Sequence, residues 1–208
     1  MGYQTEFAGS VEVAPPLNEG EIAFLRRFAR TRRMDRTKGP YFVDGTGYAG
    51  QGHDPDIREF SKPPKGQPGQ WCKWEPSADG TRIAWNGAEK FYDAAEWMGY
   101  LIQHFLQPGA VASGVRVEGW VYPAEFADLT FDHVVNGRID AAGEDPNDVW
   151  RIEVHDNVLY VVCREPLDLD DWEGEREHAV WRFEGCASTR LSDGEAMGFE
   201  EVRHTECQ

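Results

Sequence analysis

Asp44, His53, Asp54 and Asp56 gather acid–base and metal-capable groups into one stretch of the chain. Two aspartates beside a histidine are suited to holding a divalent cation or orienting a water for attack, the chemistry of a metal-assisted hydrolase or nucleotide-processing enzyme. Asp54-Pro55-Asp56 also reads as a turn, the commoner use of such a tripeptide, and the further ligands a metal centre needs are not identifiable. Just upstream, Gly45-Thr46-Gly47-Tyr48-Ala49-Gly50 has G-x-G-x-x-G spacing after apolar Tyr41-Phe42-Val43. That fingerprint works because a helix opens within it, and Gln51-Gly52-His53-Asp54-Pro55 cannot start one, which excludes a dinucleotide site of the usual kind. Gly45, Gly47 and Gly50 are left as a backbone nest for a phosphate or as plain loop.

Arg26, Arg27, Arg30, Arg32, Arg33 and Arg36 cluster around the end of the first expected helix. Cations there offset the negative end of the helix dipole without any ligand, and salt bridges to C-terminal carboxylates are the expected structural use. Arg32 and Arg33 are the pair whose position suits a ligand. Trp71, Trp74 and Trp85 offer a stacking surface for a base or sugar, although packing in a core is the commoner use. Glu89-Lys90 reads as first-turn charge of a second helix. Cys72 lies in a strand between two tryptophans, where burial raises a thiol pKa and leaves it inert. No nucleophile elbow and no C-x-x-C pair occurs, and the four cysteines are read as reduced thiols.

The elements that must carry these groups follow from periodicity. Phe7 to Val13 alternates as a strand does, and Pro15-Pro16 stops it. Asn18 with Glu21 makes a capping box, Leu17 with Ile22 a hydrophobic staple, and Ile22, Leu25, Phe28 and Ala29 a buried stripe. Residues 35 to 70 hold seven glycines and five prolines, a long loop of the kind that is usually functional or disordered. Asp79-Gly80 suits a tight hairpin that sets Trp74 opposite Trp85. Ala88 to Gln107 is the strongest helical pattern, with Phe91, Ala95, Met98, Leu101, Ile102 and Phe105 as its core face. Strand-like runs follow at Gly114 to Tyr122 and Val134 to Ile139. An Asp156-Asn157 turn then pairs Trp150, Ile152 and Val154 with Cys163, Val161 and Leu159. One more strand is expected at Ala179 to Phe183. Hairpin-type connections throughout predict an α+β fold, a mainly antiparallel sheet with two helices packed on one face.

Length and charge bound the rest. The 208 residues suit one α+β domain over residues 1–165 with an acidic C-terminal extension over 166–208. Residues 1–75 carry a net charge of +1 and residues 76–208 one of −17. Such a field disfavours nucleic acid and membrane phosphates and favours solubility or basic partners. No apolar run approaches the roughly 20 residues of a membrane span, and the start lacks signal-peptide character, so a cytoplasmic location is expected.

Thr5-Glu6-Phe7, Pro16-Leu17-Asn18, Thr31-Arg32-Arg33-Met34, Phe42-Val43-Asp44-Gly45, Gln67-Pro68-Gly69-Gln70-Trp71-Cys72-Lys73-Trp74 and Trp85-Asn86-Gly87-Ala88-Glu89-Lys90-Phe91-Tyr92, with the Asp156-Asn157 hairpin, resemble a family of small uncharacterised bacterial and bacteriophage proteins. The resemblance spans residues 3 to about 163 and implies a bacterial or phage cytosolic setting, with no activity to carry over. The preferred expectation is a non-enzymatic ligand-binding or protein-interaction module without a cofactor. Its site residues would be Arg32, Arg33, Gly45, Gly47, Gly50, Trp71 and Trp74, and its partner a basic protein or a small phosphate-bearing ligand. The alternatives are a divalent-metal hydrolase using Asp44, His53, Asp54 and Asp56, and an acidic decoy that mimics nucleic acid.

Overall fold

Alternating apolar residues make β1 (Thr5–Ala14) an interior strand of the sheet, with Phe7, Val11 and Val13 buried on one face. The computed structural model describes residues 2–44, 54–165 and 182–187, with side chains as far as residue 162. On one side β1 pairs with β5 (Arg82–Trp85), which pairs in turn with β4 (Trp74–Pro76). On the other it pairs along its whole length with β6 (Val134–Gly143), followed by β7 (Val149–His155), β8 (Val158–Glu165) and β9 (Arg182–Ala187). The seven-stranded sheet therefore runs β4-β5-β1-β6-β7-β8-β9, and every neighbouring pair is antiparallel. On β6, facing β1, Gly137 has φ of 141° and a Cβ there would stand 2.9 Å from the Ser10 carbonyl oxygen, so no side chain fits.

Two helical segments cover the buried face. The first, α1 (Glu19–Arg30), brings Phe24, Leu25 and Phe28 into the core. The second, α2 (Ala94–Leu101), runs on into a π-helical turn, Ile102–Leu106, and contributes Trp97, Met98, Leu101, Ile102 and Phe105. Phe24 and Phe28 meet Phe105 edge-on at 5.0 and 5.2 Å between centroids, which ties the two helices together. Each of these fully buried rings is worth about 3–5 kcal/mol against alanine. The α+β class with a mainly antiparallel sheet and two helices on one face is as the sequence pattern predicts.

The expected capping box is present: the Glu21 amide donates to Asn18 Oδ1 at 3.0 Å and the Asn18 amide to Glu21 Oε2 at 2.8 Å. Glu21 does more than cap. Its Oε1 accepts from the Thr130 amide at 2.8 Å and faces His133 Nε2 at 3.0 Å, while His133 Nδ1 donates to the Pro15 carbonyl at 2.7 Å. A carbonyl only accepts, so Nδ1 carries a proton, and a carboxylate beside Nε2 calls for a second one. The result is a buried imidazolium–carboxylate pair, each residue 1% exposed. Burial opposes the charge on both partners, but hydrogen bonds outweigh it. They hold Glu21 down to about 2 and keep His133 above its ordinary value.

Trp74 does lie opposite Trp85, and the Asp156-Asn157 turn sets Trp150, Ile152 and Val154 against Cys163, Val161 and Leu159 in the expected register. Five expectations are corrected. The second helix begins at Ala94, not Ala88, because Lys90 takes φ of 61° and the Lys73 ammonium binds the carbonyls of Glu89 and Lys90 that a helix would need. Residues 114 to 122 form no strand: Gly119 takes φ of 85°, and Arg116 turns back onto the Ala112 and Val115 carbonyls. The chain between β5 and β6 crosses over β1 by way of α2, so that connection is not a hairpin. The long loop is not structureless, because β2 (Asp35–Arg36) pairs with β3 (Ile57–Glu59) in a separate ribbon. The late strand lies at Arg182–Ala187 and joins the sheet edge.

Because His133 is raised from 6.5 and Glu21 lowered from 4.5, the pair stabilises the fold fully between pH 4.5 and 6.5. The His133 share is lost as pH rises through its raised value, and the Glu21 share as pH falls towards 2. His133→Gln, which leaves Glu21 buried and unpaired, is expected to lose about 3–5 kcal/mol in that window. Urea unfolding of both proteins across pH checks this, the difference between them shrinking on the alkaline side.

Candidate ligand-binding cleft

Arg33 follows α1 by only a few residues and points inward, 2% exposed. Its guanidinium lies over the Phe28 ring at 4.2 Å, and it donates to Gln67 Oε1 at 3.1 Å, to the Phe42 carbonyl at 3.0 Å and to the Pro40 carbonyl. Burial pulls its pKa down to about 10, which still leaves it charged at neutral pH. Gln67 in turn donates to the Pro40 carbonyl at 2.8 Å and to the Tyr100 hydroxyl at 3.0 Å, and the Arg33 amide donates to the Gln70 carbonyl at 2.8 Å. Behind Tyr100, the His104 ring stacks at 3.9 Å and bonds the Tyr41 hydroxyl at 2.9 Å through Nδ1. Burial drives His104 down to about 4, so it is neutral. This network fixes the course of the chain from Gln67 into Trp71.

That course forms one wall of a cleft of about 410 Å³, within the size range of small-molecule sites. Gln70, Trp71 and Lys73 line it on one side, and Glu89, Lys90, Tyr92 and Asp93 on the other. Lys73 is 9% exposed and its ammonium is anchored on the carbonyls of Glu89 and Lys90, at 3.0 Å for the latter. Burial lowers its pKa. Asp93 occupies the N-cap of α2 yet makes no capping hydrogen bond, and burial and then the Glu96 charge raise its pKa. Gly69 lets the chain pass so close that a Cβ would overlap Asp93 Oδ2 and lie 3.6 Å from Trp97 Nε1. That indole nitrogen is fully buried and has no hydrogen-bond partner. Tyr92, 60% exposed, stands at the mouth.

The candidate residues fall into separate places. Trp71 lines the cleft, and Arg32 supports it by donating to Gln70 Oε1 at 2.9 Å. Arg33 and Trp74 are enclosed, Trp74 at 1% exposure with its Nε1 donating to the Ala94 carbonyl at 2.8 Å, so neither presents a surface to a ligand. Asp44 pairs with Arg27, whereas Asp54 and Asp56 sit on the buried Arg36 at 3.1 and 3.0 Å. The three carboxylates thus serve two different arginines, and no group of three or more metal-capable side chains occurs among the described residues. Gly45, Gly47, Gly50 and His53 lie outside the described residues. Among described partners, the arginine cluster is met by Asp44, Asp54, Asp56, Glu75 and Glu125. Cys72 is buried and pushed up to about 12, inert as anticipated.

Lys73, Tyr92 and Asp93 were not singled out from the sequence. The signal that would have found them is Gly69 followed by a tryptophan and a lysine, a close approach facing a charged segment that only the folded register brings near. No helix among the described residues is long and apolar enough to cross a membrane. Comparison with family models, curated proteins and solved structures finds no match to this chain.

Gly137, with φ of 141° and a Cβ position 2.9 Å from the Ser10 carbonyl oxygen, meets backbone that cannot move aside, so Gly137→Ala is expected to lower stability by about 1–3 kcal/mol. A Cβ at Gly69 would meet the Oδ2 tip of Asp93, which can swing away, and Gly69→Ala is expected to change it by less than about 1 kcal/mol. Urea unfolding of the two variants checks the contrast, and equal midpoints would show that the backbone at Gly137 yields.

Proposed function

We propose that the chain is a non-enzymatic module that binds a small ligand in the cleft between Gln70–Lys73 and Glu89–Asp93. The observation that carries this reading is Asp93, a half-buried carboxylate that lines an open cleft and pairs with no described cation. A desolvated carboxylate without a partner is unfavourable, and a ligand that supplies donors removes the penalty. Trp71 and Tyr92 add aromatic area, the usual source of affinity in such sites.

The metal-hydrolase alternative draws no support from Asp44, Asp54 and Asp56, because these carboxylates are engaged by two different arginines and do not converge on one point. The acidic decoy reading concerns the acidic second part, residues 76–208, of which 166–181 and 188–208 lie outside the described residues. A cytosolic setting and a bacterial or phage origin are part of the same proposal.

The test is a thermal-shift panel of free amino acids, nucleotides, sugars and organic acids against the wild type and Trp71→Ala. A true ligand at 100-fold its Kd adds about 2.7 kcal/mol, or roughly 5–10 °C in a chain of this size. The expected result is a shift from one chemical class that Trp71→Ala abolishes. A panel with no shift in the wild type, or shifts equal in both proteins, rejects the cleft as the site.

A further inference from the structure

The charges lining the cleft come in two pairs. Lys73 and Lys90 supply two ammonium groups, and Glu89 and Asp93 two carboxylates, so the walls are electrically balanced. Balance of this kind disfavours a ligand with a large charge of either sign, since any such ligand meets repulsion as well as attraction. Yet the opposite charges do not close on one another. Asp93 forms no ion pair with a described ammonium, although two lysines line the same cleft.

The Lys73 ammonium is fixed by two backbone carbonyls, Glu89 and Lys90, which leaves one of its three N–H donors unused. The Asp93 carboxylate keeps its acceptor sites unused. Lys73, with one donor to spare, and Asp93 both line this cleft, and each is held by its own anchor: the Glu89–Lys90 backbone for Lys73, and the start of α2 for Asp93. Resting on the reading of the cleft as the ligand site, we propose that its ligand is a small zwitterion, a free α-amino acid with an apolar side chain. The α-ammonium group donates to Asp93, the α-carboxylate accepts from Lys73, and the side chain lies against Trp71 and Tyr92. The two ion pairs form together only when both charges belong to one compact molecule, which is what separates this ligand from a simple amine or a simple carboxylate.

The experiment is calorimetric titration of the full chain with L-phenylalanine and L-leucine, and with two single-charge analogues, L-phenylalanine amide and N-acetyl-L-phenylalanine. Both free amino acids are expected to bind, and each analogue to bind at least tenfold more weakly. Asp93→Asn, nearly the same size and in a position that caps nothing, is expected to lose at least tenfold for L-phenylalanine while leaving N-acetyl-L-phenylalanine unchanged. If an analogue binds as tightly as L-phenylalanine, or Asp93→Asn weakens all probes alike, the zwitterion is overturned while the cleft remains a site. The zwitterion is likewise overturned if no amino acid binds but another class in the thermal panel shifts the wild type and not Trp71→Ala. If nothing binds in either assay, both proposals fall.

Discussion

A guanidinium buried without a carboxylate beside it is the constraint on which the functional half of this protein depends. Arg33 stays charged, so each of its nitrogens must find an acceptor. The chain supplies them by folding two loop segments onto it, the Phe42 and Pro40 carbonyls from one and Gln67 from the other. Those acceptors are neutral, which avoids adding a second buried charge with its own desolvation cost. The Phe28 face completes the shell. An apolar side chain at this position would orphan the Phe42 carbonyl and Gln67 Oε1 and remove the tie that fixes the segment forming the wall of the cleft. The described ends of a stretch rich in glycine and proline are thereby held by one side chain just beyond α1.

The Glu21–His133 pair plays the corresponding part for the sheet. It joins the start of α1 to the chain entering β6, two points more than one hundred residues apart in sequence, as the 112-residue separation of the contact shows. Since β6 pairs with β1 over ten residues, fixing its entry fixes the register of the central pair. Both ends of α1 therefore carry long-range polar ties, Glu21 at the start and Arg33 just beyond the finish, while the apolar stripe between them packs on the second helix. Polar groups set position here and aromatic rings supply most of the stabilisation.

Features that depend on neighbours in sequence were legible: the capping box, the Asp156-Asn157 register, the Trp74–Trp85 pairing and the apolar faces of both helices. Features that depend on distant partners were not. The segment from Ala88 to Asp93 has helical spacing, but a lysine from β4's approach takes its carbonyls, and local propensity loses to that tertiary contact. Gly114 to Tyr122 alternates as a strand does, yet Gly119 takes φ of 85° and Arg116 turns back onto the Ala112 and Val115 carbonyls, which breaks an extended run. Arg33 and Trp74 looked available because residue type alone does not reveal that the first has uncharged acceptors waiting or that the second lies under the second helix. Trp71, next to Cys72 and Lys73 in the same run, is the tryptophan that reaches the cleft, since the residues that follow it turn into the core.

The groups that remain unsatisfied are informative for the same reason. The interior of this protein pairs its polar groups over long distances, as Glu21, His133, Gln67 and Tyr100 show. Nε and Nη2 of Arg36 and Oε2 of Glu125 are buried without partners too, but Asp93 without a donor and Trp97 Nε1 without an acceptor lie against the same glycine. Local violations of an otherwise consistent design tend to collect at functional sites, where stability is given up for interaction with something else. Lys73 and Lys90 line the same cleft, yet neither forms an ion pair with Asp93. The Lys73 ammonium is pinned by the carbonyls of Glu89 and Lys90, so the contacts that keep a helix from starting at Ala88 also hold one of these cations to the backbone rather than to Asp93.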